Sequence, residues 1–109
     1  MATLAAVRKI FGNLPGTTEG LSYGAPAFYV AGKYVGRLLE DGVTISVYMG
    51  HDEREAWCAL DPHAFSVPAS FARYPYIAVN LEAVQQEDLR TVLTNAWRSR
   101  APANIVKQT

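Results

Sequence analysis

Lys33-Tyr34-Val35-Gly36-Arg37-Leu38-Leu39-Glu40-Asp41-Gly42-Val43-Thr44-Ile45-Ser46-Val47-Tyr48-Met49 is the stretch whose reading decides the fold. In its second half Val43, Ile45, Val47 and Met49 alternate with Thr44, Ser46 and Tyr48, the period-two pattern of a strand with one face buried and one face wet. Asp41-Gly42 is a turn signal, because glycine accepts the positive φ that a two-residue hairpin turn needs. No helix is expected anywhere in 33–49. An antiparallel pair is, with Leu38 opposite Ile45 and Gly36 opposite Val47. That register turns Tyr34, Gly36 and Leu38 toward the core and Lys33, Val35, Arg37 and Leu39 outward, beside Thr44, Ser46 and Tyr48.

Upstream, β-branched and aromatic residues continue back to Glu19, and a second turn signal at Ala31-Gly32 makes a three-strand meander of 19–49. The same turn geometry adds Phe28 and Val30 to the outer face. Before the meander, Leu4, Val7, Ile10, Phe11 and Leu14 recur at helical spacing until Gly12, Asn13, Pro15 and Gly16 stop the helix. Downstream, 51–55 opens a second helix with Asp52 as N-cap and Glu55 completing a capping box, and Trp57 and Leu60 pack inward. Residues 65–68 add a short edge strand, and Ile77, Val79 and Leu81 alternate as another half-buried strand. Leu89, Val92, Leu93, Ala96 and Trp97 trace one face of a last helix, which ends at Ala101-Pro102 before a fraying tail. Leu89, Leu93 and Trp97 are expected against Ile45, Val47, Ile77 and Val79.

The resulting expectation is α+β, a two-layer sandwich with an antiparallel sheet of about five strands and helices on one face, in the order α-β-β-β-α-β(β)-α. The 109 residues, half of them hydrophobic, suffice for one ordinary core, so 1–109 reads as a single domain. Cys58 stands alone, which excludes an intrachain disulfide and fits a reducing compartment. With no signal-peptide order at the N-terminus and no apolar run near the roughly 20 residues of a membrane span, the cytoplasm is the expected location.

Ten basic and ten acidic side chains cancel, which disfavours tight sequence-independent binding to phosphate backbones. The distribution is uneven: residues 38–61 hold six carboxylates against Arg54, and the flanking segments are net basic. A dipolar surface follows.

Several short patterns, in this order and spacing, resemble the MmcQ/YjbR family of small bacterial domains. They are Leu14-Pro15-Gly16, Gly24-x-Pro26-x-Phe28, Gly32-Lys33, Asp52-Glu53-Arg54, Phe71-Ala72-Arg73-Tyr74, Glu87-Asp88-Leu89 and Ala96-Trp97. The resemblance implies a double-wing arrangement, a fold like that of type III secretion chaperones, and a non-enzymatic DNA-binding role. Where the family often carries a lysine on the strand before the second helix, this chain has Tyr48.

Each candidate site also has a plain structural reading. The outer sheet face mixes cations, hydroxyls and apolar groups; it reads as a surface for nucleic acid, a flat ligand or a protein, or as a sheet exterior covered by loops. Arg73-Tyr74-Pro75-Tyr76 sets a cation among rings that can stack a base, or Arg73 pairs with Glu82 or Asp61. Nucleic-acid contact is therefore assigned to Lys33, Arg37 and Arg73. The alternative is a small-molecule or protein-binding module using the outer face or a cleft beside it, with Tyr23, Phe28, Tyr48 and Tyr76 as contacts; an enzyme ranks third. His51, Cys58 and His63 are separated by seven and five residues, which match no paired metal-ligand motif. Residues 14–18 lack the preceding strand and the glycine-lysine pair of a phosphate loop, and no hydrolase motif is present. No metal site, no cofactor and no catalytic residue is assigned. A monomer or weak dimer is expected.

Overall fold

The alternation in 43–49 becomes a strand in the computed structural model, which describes residues 2–107. The elements run α1 (Leu4–Gly12), β1 (Thr17–Ser22), β2 (Ala25–Val30), β3 (Lys33–Leu38), β4 (Thr44–Tyr48), α2 (His51–Leu60), β5 (Phe65–Ser66), β6 (Tyr76–Asn80), α3 (Gln86–Arg100) and α4 (Ala103–Val106), with a 3-10 turn at Ala69–Phe71. The six strands form one antiparallel sheet in the order β1-β2-β3-β4-β6-β5. The fold class and element order follow the sequence reading, with six strands in place of about five. Among the described residues no helix is long and apolar enough to cross a membrane.

The additional strand arises at Tyr23-Gly24. These two residues take φ of 53° and 77°, and Ala31-Gly32 take 49° and 79°, so both form two-residue turns with positive φ throughout. That backbone matches the twist of a hairpin. Tyrosine seldom adopts it, which hides the turn from a reading based on residue type. The Asp41-Gly42 hairpin keeps the expected register, Gly36 opposite Val47 and Leu38 opposite Ile45. Its loop is wider than two residues, spanning 40–43. Leu39 N donates to Thr44 O at 2.8 Å, and the Asp41 carboxylate accepts from the Val43 and Thr44 amides and from the Thr44 hydroxyl at 2.6 Å.

Register shifts between Phe28 and Tyr29, where a β-bulge places Phe28 opposite Gly36 but Tyr29 opposite Tyr34. Val35 is the extra residue. Side-chain parity along β3 therefore reverses below Gly36. Phe28, Val30 and Val35, expected on the outer face, are buried in the core, and Tyr34, expected inside, stands on the outer face. The Phe28 ring stacks on Phe11 at 4.7 Å.

One buried cluster joins the helices to the inner sheet face. Leu89, Leu93 and Trp97 lie in it with Ile45, Val47, Ile77 and Val79, all at 0 % exposure. The Trp97 indole donates to Pro15 O at 2.8 Å, so its one polar atom is satisfied as it is buried. Helix α2 begins one residue before Asp52, with Gly50 as its cap and no side-chain cap bond. Trp57 packs on Phe65 at 5.1 Å, but Leu60 is 69 % exposed. The inward stripe of α2 runs through Arg54, Trp57 and Cys58, from which Leu60 is rotated away. The tail does not fray through 107: α4 returns Ile105 and Val106 to the core, with Ile105 close against Gly16.

Candidate functional site

The outer face of the sheet carries a row of tyrosines from successive strands. Tyr29 meets Tyr34 at 6.0 Å, Tyr34 meets Tyr76 at 5.6 Å and Tyr76 meets Tyr48 at 6.2 Å, each pair edge to face. Strand β4 runs between β3 and β6, and at the crossing it presents Ser46, small enough for Tyr34 and Tyr76 to meet above it. The Tyr34 hydroxyl and Ser46 Oγ are 2.9 Å apart. Burial pushes the Tyr34 phenol above its ordinary pKa, against the opposing pulls of Ser46 and the Arg37 charge, and keeps it a neutral hydrogen-bonding group. A close approach makes this floor possible: a Cβ on Gly36 would collide with Ser46 O, so only glycine lets β3 and β4 lie so near.

Two walls rise from that floor. One is the β1–β2 turn, where Tyr23 is 91 % exposed and the Arg37 guanidinium lies over its ring at 5.2 Å. The other is the segment 69–75, whose Phe71 ring meets Tyr76 at 6.2 Å and whose Tyr74 is exposed. Between them is a cleft of about 590 Å³, within the range of small-ligand sites. Its lining combines Tyr23, Tyr34, Phe71, Tyr74 and Tyr76 with serine hydroxyls and one cation, Arg37, and contains no carboxylate.

The second wall is organised from beneath by Arg54. This side chain is buried, and its guanidinium donates to Phe71 O, Tyr74 O and Tyr76 O through Nη1 at 2.8 to 3.0 Å and to Ala72 O through Nη2 at 2.9 Å. Three carbonyls of the irregular 71–74 stretch and that of Tyr76 at the start of β6 thereby gain a charged donor, two of them, Phe71 O and Tyr74 O, in addition to a backbone amide. His51 Nε2 lies 3.3 Å from Ala72 O and closes the same cluster.

Of the contacts assigned from sequence, Arg37, Tyr23 and Tyr76 converge on the cleft. Phe28 does not; the bulge carries it into the core. Tyr48 ends the aromatic row outside the cleft, covered by the Arg100 guanidinium at 4.4 Å, whose Nε also donates to Tyr34 O at 3.2 Å. Lys33, expected on the outer face, pairs with buried Val30 beyond the bulge and so lies at the end of β3 on the opposite face from Arg37, though exposed. Arg73 is exposed on the 69–75 wall and, among the described residues, pairs with neither Glu82 nor Asp61. The three cations thus lie spread out. Tyr34, Ser46, Phe71 and Arg54 were missed from sequence. Arg54 had a signal, since it stands three and four residues before Trp57 and Cys58 on one helical stripe.

Among the described residues no group of three or more His, Cys, Asp or Glu gathers as metal ligands. Cys58 is half-buried on α2, and burial pushes its thiol pKa up, which disfavours the thiolate.

The model of the YjbR family matches residues 12–99, most of the chain. The chain belongs to the YjbR family. A solved structure, the crystal structure of Deinococcus radiodurans protein DR2400 with its DUF419 domain, is similar in fold, with a TM-score of 0.76 and 16% identity over 99% of this chain and 88% of that one. A comparison with curated proteins finds no match. The stretches that carry the YjbR resemblance meet in space: Trp97 bonds Pro15, and Arg54 bonds Phe71 and Ala72. They build the frame of the YjbR fold and the second wall of the cleft.

Proposed function

We propose that this chain is a non-enzymatic binding domain whose ligand site is the outer-face cleft. The observation that carries the reading is the convergence of Tyr23, Tyr34, Tyr76, Phe71 and Arg37 on one concavity, with aromatic surface for a flat group and a cation to orient it. A binder is favoured over an enzyme because the cleft lining holds no histidine or carboxylate to act as base beside Ser46 Oγ. The test is a fragment screen by saturation-transfer NMR, repeated on Tyr23→Ala, a change at an exposed turn. Flat aromatic fragments should bind and lose their signal in the variant; hits indifferent to Tyr23 would place the site elsewhere.

DNA binding is the second reading, with exposed Lys33 and Arg73 as the further cations available beside Arg37. With two or three phosphate contacts, log affinity should fall with log salt at a slope of roughly −2 to −3, and affinity should be on the order of 10⁻⁴ M or poorer at physiological salt. A titration of labelled duplex at low salt, with Lys33→Ala/Arg37→Ala as control, decides it. Binding that the double variant weakens supports this reading; no binding, or tight binding that ignores the variant, removes it.

A further inference from the structure

The Arg37 guanidinium is incompletely used. Its side chain is only 19% exposed, yet its protein acceptors are Leu38 O at 3.4 Å and the Glu40 carboxylate at 3.7 Å, both approached by Nη1. Among the described residues, Nε and Nη2 have no hydrogen-bond acceptor. Neither nitrogen is fully buried, so three of the five donors of the fork stay open to water and available to a ligand. Charge-assisted pairs of good geometry close to about 2.7–2.9 Å. The Glu40 contact is longer than that, and Glu40 itself is 81% exposed, so the pair is weak and readily exchanged. The chain thus carries its own loose stand-in for the group that fits this position, a carboxylate. The Arg37 guanidinium carbon lies over the Tyr23 ring at 5.2 Å, a contact that uses none of its N–H donors.

The rest of the lining limits what can carry that carboxylate. Tyr34, Tyr76, Phe71, Tyr74 and Tyr23 offer aromatic surface, the Tyr34 and Ser46 hydroxyls are neutral, and a single cation balances a single negative charge. We infer that the cleft takes a planar aromatic monocarboxylate, with its ring against the tyrosines and its carboxylate on the Arg37 fork. This rests on the cleft being the ligand site, as proposed above.

The test compares 2-naphthoate with its neutral isostere 2-naphthamide by isothermal titration calorimetry. The acid should bind at least about tenfold more tightly than the amide, because only the acid forms the charge-assisted pair. Arg37→Gln should abolish that preference, and Glu40→Gln, at an exposed position that leaves folding untouched, should strengthen acid binding about two- to threefold by removing the competitor. Equal affinity for acid and amide would leave the cleft standing and overturn the carboxylate. A nucleoside monophosphate binding more tightly than 2-naphthoate would overturn it in favour of a nucleotide. No binding of any of these probes at millimolar concentration would overturn both the ligand class and the cleft.

Discussion

Arg54 and Arg37 stand behind opposite walls of one cleft and are used in opposite ways. Arg54 comes from a helix, is buried, and spends its donors on four backbone carbonyls, three in the irregular 71–74 stretch and one at the start of β6. Arg37 comes from a strand, is held from one side by a tyrosine face, and keeps most of its donors without an acceptor. The difference separates two roles that residue type cannot distinguish. A cation whose hydrogen bonds are complete within the protein shapes the site; one whose bonds are incomplete at the site's edge is available to a ligand.

The comparison breaks first on stability. Arg54→Ala removes the charged donor from four carbonyls, of which Phe71 O and Tyr74 O keep a backbone amide donor, and should cost about 3 kcal/mol, read as a lower urea midpoint; Arg54→Lys should recover only part, since an ammonium cannot reproduce the fork. A loss below about 1 kcal/mol would mean that water replaces the guanidinium and the wall does not depend on it. Gly36→Ala comes next. Its Cβ meets Ser46 O and forces β3 and β4 apart, so a cost of about 1 to 3 kcal/mol is expected, with disturbed amide resonances at Ser46. Arg37→Gln should lie near the bottom of the scale, within about 1 kcal/mol of wild type by the same denaturation. An Arg37 variant as unstable as Arg54→Ala would erase the distinction between the two arginines.

Two pH effects sharpen the picture at smaller size. Tyr34 has its pKa raised by burial, so its contribution is complete below the unfolded tyrosine value of about 10 and is lost as pH rises through the higher folded value. Unfolding midpoints should fall between pH 9 and pH 11.5, less so in Tyr34→Phe. Asp41 has its pKa lowered by the Thr44 hydroxyl and then by the Val43 amide, so its contribution is present above about pH 4 and lost as pH falls through the lower folded value. A small acid-side loss, absent in Asp41→Asn, is expected from fluorescence-monitored melts at pH 5 and pH 2.5.

The same contrast explains what the sequence revealed. Strand β4 and helix α3 were legible because each follows one unbroken period from end to end, and the Gly36 and Leu38 register followed from β4. The parity of Tyr34, Val35, Phe28 and Val30 was not, because a bulge inserts one residue where side chains give no sign of it, and one residue inverts a whole face. Tyr23-Gly24 was missed because its turn is imposed by the strands on a residue type that rarely forms it. Of the site, Arg37, Tyr23 and Tyr76 could be named from sequence. Their convergence could not, since it depends on Ser46 being small between two tyrosines and on Arg54 fixing a wall 17 to 22 residues away.

The cleft itself is tested most directly by aromatic 13C NMR of the tyrosine and phenylalanine rings during a titration with 2-naphthoate. The account predicts saturable shifts at Tyr23, Tyr34, Tyr76 and Phe71, with Phe11 and Phe65 in the core unmoved. Shifts that spare these four rings and fall instead beside Lys33, or in the groove between α1 and α3, would contradict it.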